Sequence, residues 1–133
     1  MRIIIDTNLW ISFTIGKRLS SLKSLLKNKR IEIYVCKELL SEYEDVVQRP
    51  KLEKYIKPDD ITATLEVIDL YCYNVEIKEQ AFSSIRDVKD LYLLSLADTV
   101  RANYIVSGDK DLLVLKKHNN TDILDFNTFI RML

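Results

Sequence analysis

Three consecutive isoleucines, Ile3-Ile4-Ile5, followed at once by Asp6-Thr7-Asn8, limit what this chain can become. A strand with one wet face alternates apolar and polar residues, whereas an unbroken apolar run suits a strand covered on both faces, as in a parallel sheet clad with helices. The carboxylate then falls at the strand's C-terminal end. In open parallel sheets those ends line the binding crevice, so Asp6 is placed for chemistry rather than for the core.

The remaining chain alternates in the same sense. Leu9 to Thr14 is apolar and closes at Gly16, after which Leu19, Leu22, Leu25 and Leu26 recur at helical spacing among lysines. Ile31 to Cys36 reads as a second strand, which completes a strand-helix-strand crossover. Lys37 to Gln48 is expected as a helix with Leu39, Leu40, Tyr43, Val46 and Val47 inward, ending before Pro50. On it Glu42 lies close to the buried stripe, while Glu44 and Asp45 fall toward water. Another helix starts at Pro58, where Asp59 and Asp60 occupy capping positions, and carries Ile61, Leu65 and Ile68 inward as far as about Tyr71. Asn74 to Ile77 is expected as a third strand.

Asp87-Val88-Lys89-Asp90 precedes a long apolar helix, Leu91 to Ala102, for which one aspartate suffices as cap. Tyr104-Ile105-Val106 repeats the pattern of the first strand, and Ser107-Gly108-Asp109-Lys110-Asp111 follows it as Asp6-Thr7-Asn8 follows the first. Leu112 to Lys117 is expected to be helical and Ile123-Leu124 to form a last short strand. Asn127 would cap final turns that bury Phe129, Ile130 and Leu133. The alternation predicts an α/β fold, a mainly parallel sheet covered on both faces, in a single domain over residues 1–133.

Composition narrows the chemistry. Apolar residues make up 47%, and 20 basic residues balance 20 acidic ones, the profile of a soluble globular domain without bulk attraction for polyanions. No apolar run reaches the length of a membrane span, and with the first strand beginning at Met1 no leader is expected. Cys36 and Cys72 belong to no metal-ligand spacing and read as core thiols of a protein in a reducing cytoplasm. Two glycines cannot build a phosphate-cradling loop or a dinucleotide fingerprint. The one histidine, His118, lies in a polar stretch expected to be exposed, so cleavage of RNA by a histidine pair is excluded.

Acids remain in four places: Asp6, Glu42, the pair Asp87 and Asp90, and Asp109 with Asp111. If the first and fourth strands are neighbours where the winding reverses, Asp6 and Asp109 face one crevice. Two carboxylates about 4 Å apart repel by roughly 4 kcal/mol at an effective dielectric of about 20, so such a cluster needs protonation, a basic side chain or a divalent cation. Oxygen ligands without histidine or cysteine favour Mg²⁺ or Mn²⁺ over Zn²⁺, and water activated by the metal is the chemistry left.

The ordered set Ile5-Asp6-Thr7-Asn8, Leu39-Leu40-Ser41-Glu42-Tyr43 with Arg49-Pro50-Lys51-Leu52, Asp87-Val88-Lys89-Asp90, and Val106-Ser107-Gly108-Asp109-Lys110-Asp111-Leu112-Leu113 resembles a PIN domain. Within that superfamily it is similar to the toxin components of prokaryotic type II toxin–antitoxin pairs, the VapC-like PIN ribonucleases. The resemblance implies a three-layer α/β/α sandwich and a Mg²⁺- or Mn²⁺-dependent endoribonuclease. It implies Asp6, Glu42, Asp90 and Asp109 as the acidic quartet around one or two metal ions, Asp111 as an accessory carboxylate, and Asn8 and Ser107 as orienting groups. Ser107 stands where threonine is commoner and keeps the hydroxyl. Val88 replaces a frequent proline, which leaves Asp87 and Asp90 as alternatives for facing the metal. The implied partners are an RNA substrate, an antitoxin chain and a second copy of the domain, with Lys110, Lys89 or Arg49 available to flanking phosphates.

Other readings fit less well. A haloacid-dehalogenase-type phosphatase needs an aspartate two residues after the first, where this chain has Asn8; a response-regulator receiver needs one at the end of the third strand, where Asn74 to Ile77 has none. An RNA-processing PIN nuclease that is no toxin, and a non-catalytic binding module on the same fold, remain as alternatives.

Overall fold

The computed structural model describes residues 1–16, 19–78 and 91–133. Along them run β1 (Arg2–Ile5), α1 (Thr7–Thr14), α2 (Leu19–Lys27), β2 (Glu32–Val35), α3 (Lys37–Val47), a 3₁₀ turn (Pro50–Leu52), α4 (Pro58–Tyr71), β3 (Cys72–Asn74), α5 (Leu91–Val100), β4 (Tyr104–Val106), α6 (Lys110–Leu113), β5 (Lys117–His118), β6 (Thr121–Leu124) and α7 (Phe126–Met132). The strands form one sheet in the order β3-β2-β1-β4-β6-β5, parallel except for β5, which runs antiparallel to β6.

The isoleucine run occupies the middle of this sheet. Ile3, Ile4 and Ile5 are all essentially inaccessible although successive side chains point to opposite faces, so both faces must be covered. One face meets Phe13 of α1, Leu25 of α2 and Phe126 and Phe129 of α7 around a narrow apolar seam with Ile3, Ile5 and Val106. Helix α5, almost entirely apolar, packs on β1 and β4. The result is the mainly parallel, helix-flanked α/β sandwich expected from the sequence, and the winding does reverse between β1 and β4, which pair Ile3 with Tyr104 and Ile5 with Val106.

Helix α3 is held in rotation by a buried polar knot. The Thr14 hydroxyl lies 2.6 Å from the Tyr43 phenol and 3.0 Å from the Thr64 hydroxyl, tying α1, α3 and α4 together. With Leu39 and Tyr43 wholly buried, Glu42 comes to the edge of the buried face, and Glu44 and Asp45 are exposed. Asp60 caps α4 as expected, its carboxylate accepting the Lys57 backbone N–H at 3.0 Å.

Several local expectations are corrected. The third strand starts at Cys72, not Asn74, because α4 passes into it with no turn residue between, Cys72 pairing with Ile33. Cys72 is consequently half-buried beside exposed Leu70 and Tyr71, whereas Cys36 is fully buried; both are free thiols. The helix after Asp109 stops at Leu113, and Lys117 and His118 instead form a short antiparallel strand with β6. His118 is not exposed: its side chain is 10% accessible, and Nε2 stands 3.0 Å from Asp98 Oδ2, pinning the hairpin to α5. Asp125, not Asn127, caps α7 by accepting the Thr128 N–H at 2.7 Å, and Leu133 at the helix end is exposed.

Because Leu39 anchors the helix that carries Glu42, Leu39→Ala should destabilise the protein by about 2–5 kcal/mol in urea unfolding. A cost below about 1 kcal/mol would mean that α3 is not fixed by this side chain.

Candidate active site at the C-terminal rim of the sheet

Asp6 and Ser107 leave the ends of neighbouring parallel strands at the same level, the Asp6 N–H donating to Val106 O at 2.9 Å. The Ser107 hydroxyl, wholly buried, donates to Asp6 Oδ2 at 2.7 Å and accepts the Asp109 N–H at 3.0 Å. One serine therefore sets both the Asp6 carboxylate and the backbone of the loop that carries Asp109. That loop closes as an Asx turn in which Asp109 Oδ1 accepts the Asp111 N–H at 2.9 Å. Asp109 is half-buried and Asp111 exposed.

Glu42 reaches the rim from α3. Its Oε2 accepts from the Tyr92 phenol at 2.5 Å and from the Thr7 hydroxyl at 3.2 Å. Thr7, next to Asp6, is almost wholly buried, so it joins the two acids physically. Outside this contact, α3 and Tyr92 border an open groove of about 600 Å³ with Lys37, Ser41, Asp45 and Arg49 on its walls.

Asp6 is 4% exposed and no lysine or arginine pairs with it among the described residues. Burial raises its pKa from the ordinary 3.8 to about 6; the Ser107 hydrogen bond opposes that shift, and the charges of Glu42 and Asp109 add to it. Burial and the bond to Glu42 also push the Tyr92 phenol well above its usual range, so it keeps its proton as a donor. The thiols of Cys36 and Cys72 are raised by burial to about 11 and about 12, which leaves them protonated and unsuited to nucleophilic attack.

Of the residues singled out in the sequence, Asp6, Glu42, Ser107 and Asp109 are thus brought to one rim. Asn8 is exposed on the first turn of α1 and makes no side-chain hydrogen bond to these acids among the described residues. Asp87, Lys89 and Asp90 lie outside the described residues. Thr7 and Tyr92 were not anticipated. Tyr92 carries the one phenol in the run Leu91-Tyr92-Leu93-Leu94, and a buried phenol demands a partner, which was the available signal.

Among the described residues no three acids, histidines or cysteines stand together closely enough to hold a metal ion. The donor set nevertheless fits a hard divalent cation: oxygen atoms only, and a carboxylate whose pKa is raised by burial and, to a smaller extent, by two acidic neighbours, and whose charge no basic side chain offsets among the described residues.

The chain belongs to the PIN domain family, whose model matches residues 2–111, a span that takes in every acid from Asp6 to Asp111. The family is one of nucleases, and therefore of hydrolases. Among solved structures, the chain is similar to one in VapBC2 from Rickettsia felis, bound to a DNA fragment from their promoter. Identity there is 18% and the TM-score 0.58, with 92% of this chain and 97% of that one covered. The T. brucei RRP44 PIN domain is 19% identical with a TM-score of 0.49, covering 98% of this chain and 79% of that one. At 18% identity the likeness to the VapBC2 chain is one of fold. No curated protein matches the chain.

The raised pKa has a definite sign in stability. Folded Asp6 keeps its proton to about pH 6 and the unfolded chain only to 3.8, so between these values the folded state binds more protons and loses stability as pH rises. The loss by pH 7 in metal-free protein is on the order of 3 kcal/mol. Asp6→Asn should therefore stabilise the metal-free chain at pH 7 and flatten the decline between pH 4 and about pH 6 seen in denaturant titrations. A variant that unfolds more readily than the parent at pH 7 would contradict this.

Proposed function

We propose that this chain is a Mg²⁺- or Mn²⁺-dependent endoribonuclease acting in the cytoplasm as the toxin of a toxin–antitoxin pair. The observation that carries the reading is the placement of Asp6 at the end of the central strand: unpaired by a basic group among the described residues, and raised in pKa chiefly by its burial, with the charges of Glu42 and Asp109 adding to the shift.

In this reading Asp6, Glu42, Asp90 and Asp109 hold one or two ions, with Asp111 as an accessory ligand and Asp87 as the alternative to Asp90. A metal held there would polarise the phosphodiester and activate water for its hydrolysis. The chain's own groups prepare that chemistry. Ser107 occupies Asp6 Oδ2 and holds the Asp109 loop, and Tyr92 with Thr7 occupies Glu42 Oε2. Lys110 and Arg49, both exposed, are available to flanking phosphates, which a chain of zero net charge must contact locally. Lys89 would serve the same purpose.

The fold likeness to a chain of the R. felis VapBC2 complex supports a second protein as partner, an antitoxin made from a neighbouring reading frame. A homodimer belongs to the same proposal. No helix among the described residues is long and apolar enough to cross a membrane.

The test is cleavage of RNA in Mn²⁺ by the parent, Asp6→Asn, Asp87→Asn and Asp90→Asn. We expect Asp6→Asn to lose at least about 100-fold in rate, in keeping with removal of a group that acts only with the metal in place, and only one of the other two variants to follow it. Equal rates for parent and Asp6→Asn would reject the assignment.

A further inference from the structure

Glu42 is gripped at one oxygen only. Tyr92 Oη lies 2.5 Å and Thr7 Oγ1 3.2 Å from Oε2, and the two hydroxyls are 3.1 Å apart. Three contacts share two protons. The shortest contact assigns the phenolic proton to Glu42, so the Thr7 proton either goes to the same oxygen or completes a chain from Thr7 through Tyr92 to the carboxylate. In both arrangements the Glu42 carboxylate is gripped at Oε2, by Tyr92 and Thr7 together in the first and by Tyr92 with Thr7 behind it in the second, and among the described residues no donor reaches Oε1.

The three side chains come from three helices. Thr7 follows Asp6 on α1, Glu42 stands on α3, and Tyr92 lies on the first turn of α5, two residues after Asp90 in the chain. A carboxylate on a helix flank otherwise turns freely about its side-chain bonds. Holding one of its oxygens through Tyr92, with Thr7 beside or behind that phenol, removes that freedom and leaves the other oxygen for a ligand, as partners behind a metal-binding group commonly do.

We infer that Tyr92 is a positioning residue of the nuclease site, its hydroxyl, backed by Thr7, locking the Glu42 carboxylate through Oε2 so that Oε1 alone remains to bind metal or water. This rests on the nuclease reading above. It separates two uses of Tyr92, because the same ring borders the α3 groove and would serve equally well there as a surface for a base. Only the first use needs the hydroxyl. Tyr92→Phe keeps the ring and removes the donor.

The experiment takes the full chain as parent, Tyr92→Phe, Glu42→Gln and the double variant, and measures Mn²⁺ affinity by calorimetry beside kcat and KM for RNA. Tyr92→Phe should lower Mn²⁺ affinity or kcat by about 10- to 100-fold with KM unchanged. It should add almost nothing in the Glu42→Gln background, since its effect passes through that carboxylate. Parental affinity and kcat in Tyr92→Phe, losses that add in the double variant, or a change confined to KM would each overturn the inference. A parent that neither binds Mn²⁺ nor cleaves RNA would remove the nuclease reading and this inference with it. A parent that does both beside an unaltered Tyr92→Phe would remove the inference alone.

Discussion

A carboxylate buried without a basic partner among the described residues is the constraint around which this molecule is arranged. Asp6 leaves the central strand at 4% exposure, where desolvation disfavours its charge, and its compensation comes from neutral groups, the Ser107 hydroxyl and the Thr7 backbone N–H. Hydrophobic burial alone does not explain such a group, because an apolar residue at the same place would be more stable. The placement costs stability in the metal-free state at neutral pH, and a cation bound there would recover it.

The architecture keeps that carboxylate in place. Parallel pairing of β1 with β4 puts Asp6 and Ser107 level with each other, so one serine holds both the acid and the loop of Asp109. The knot of Thr14, Tyr43 and Thr64 sets the rotation of α3, and this rotation brings Glu42 to Thr7 and Tyr92. Packing in the core and geometry at the rim are therefore one problem: Tyr43 and Glu42 are adjacent, the first turned into the core and the second toward the site.

Much of this was legible in the sequence because strong local patterns agreed with tertiary placement. Ile3-Ile4-Ile5 and Tyr104-Ile105-Val106 announced strands of a covered parallel sheet, and the acids following them fell at its C-terminal rim as the topology requires. Helical spacing around Leu39 and Tyr43 placed Glu42 correctly at the edge of the buried face. The clearest misreading comes from a partner distant in sequence. His118 sits among polar residues, and its pairing with Asp98, twenty positions away, holds it against α5. Cys72 does pack against the core as a free thiol, although its apolar neighbours Leu70 and Tyr71 are on the outside. The contact of Tyr92 with Glu42 spans fifty residues and three helices meet at it, so no local window contains it. Asp125 and Asn127 were both fit to cap α7, and local composition does not choose between them.

The electrostatic state of Asp6 is the central claim, and it is directly measurable. In metal-free protein carrying ¹³C-labelled aspartate, the carboxyl resonance of Asp6 followed against pH should show a midpoint near 6, and saturating Mg²⁺ should drive that midpoint below the ordinary 3.8. A midpoint at or below 3.8 without metal, or one that Mg²⁺ leaves in place, would contradict the account.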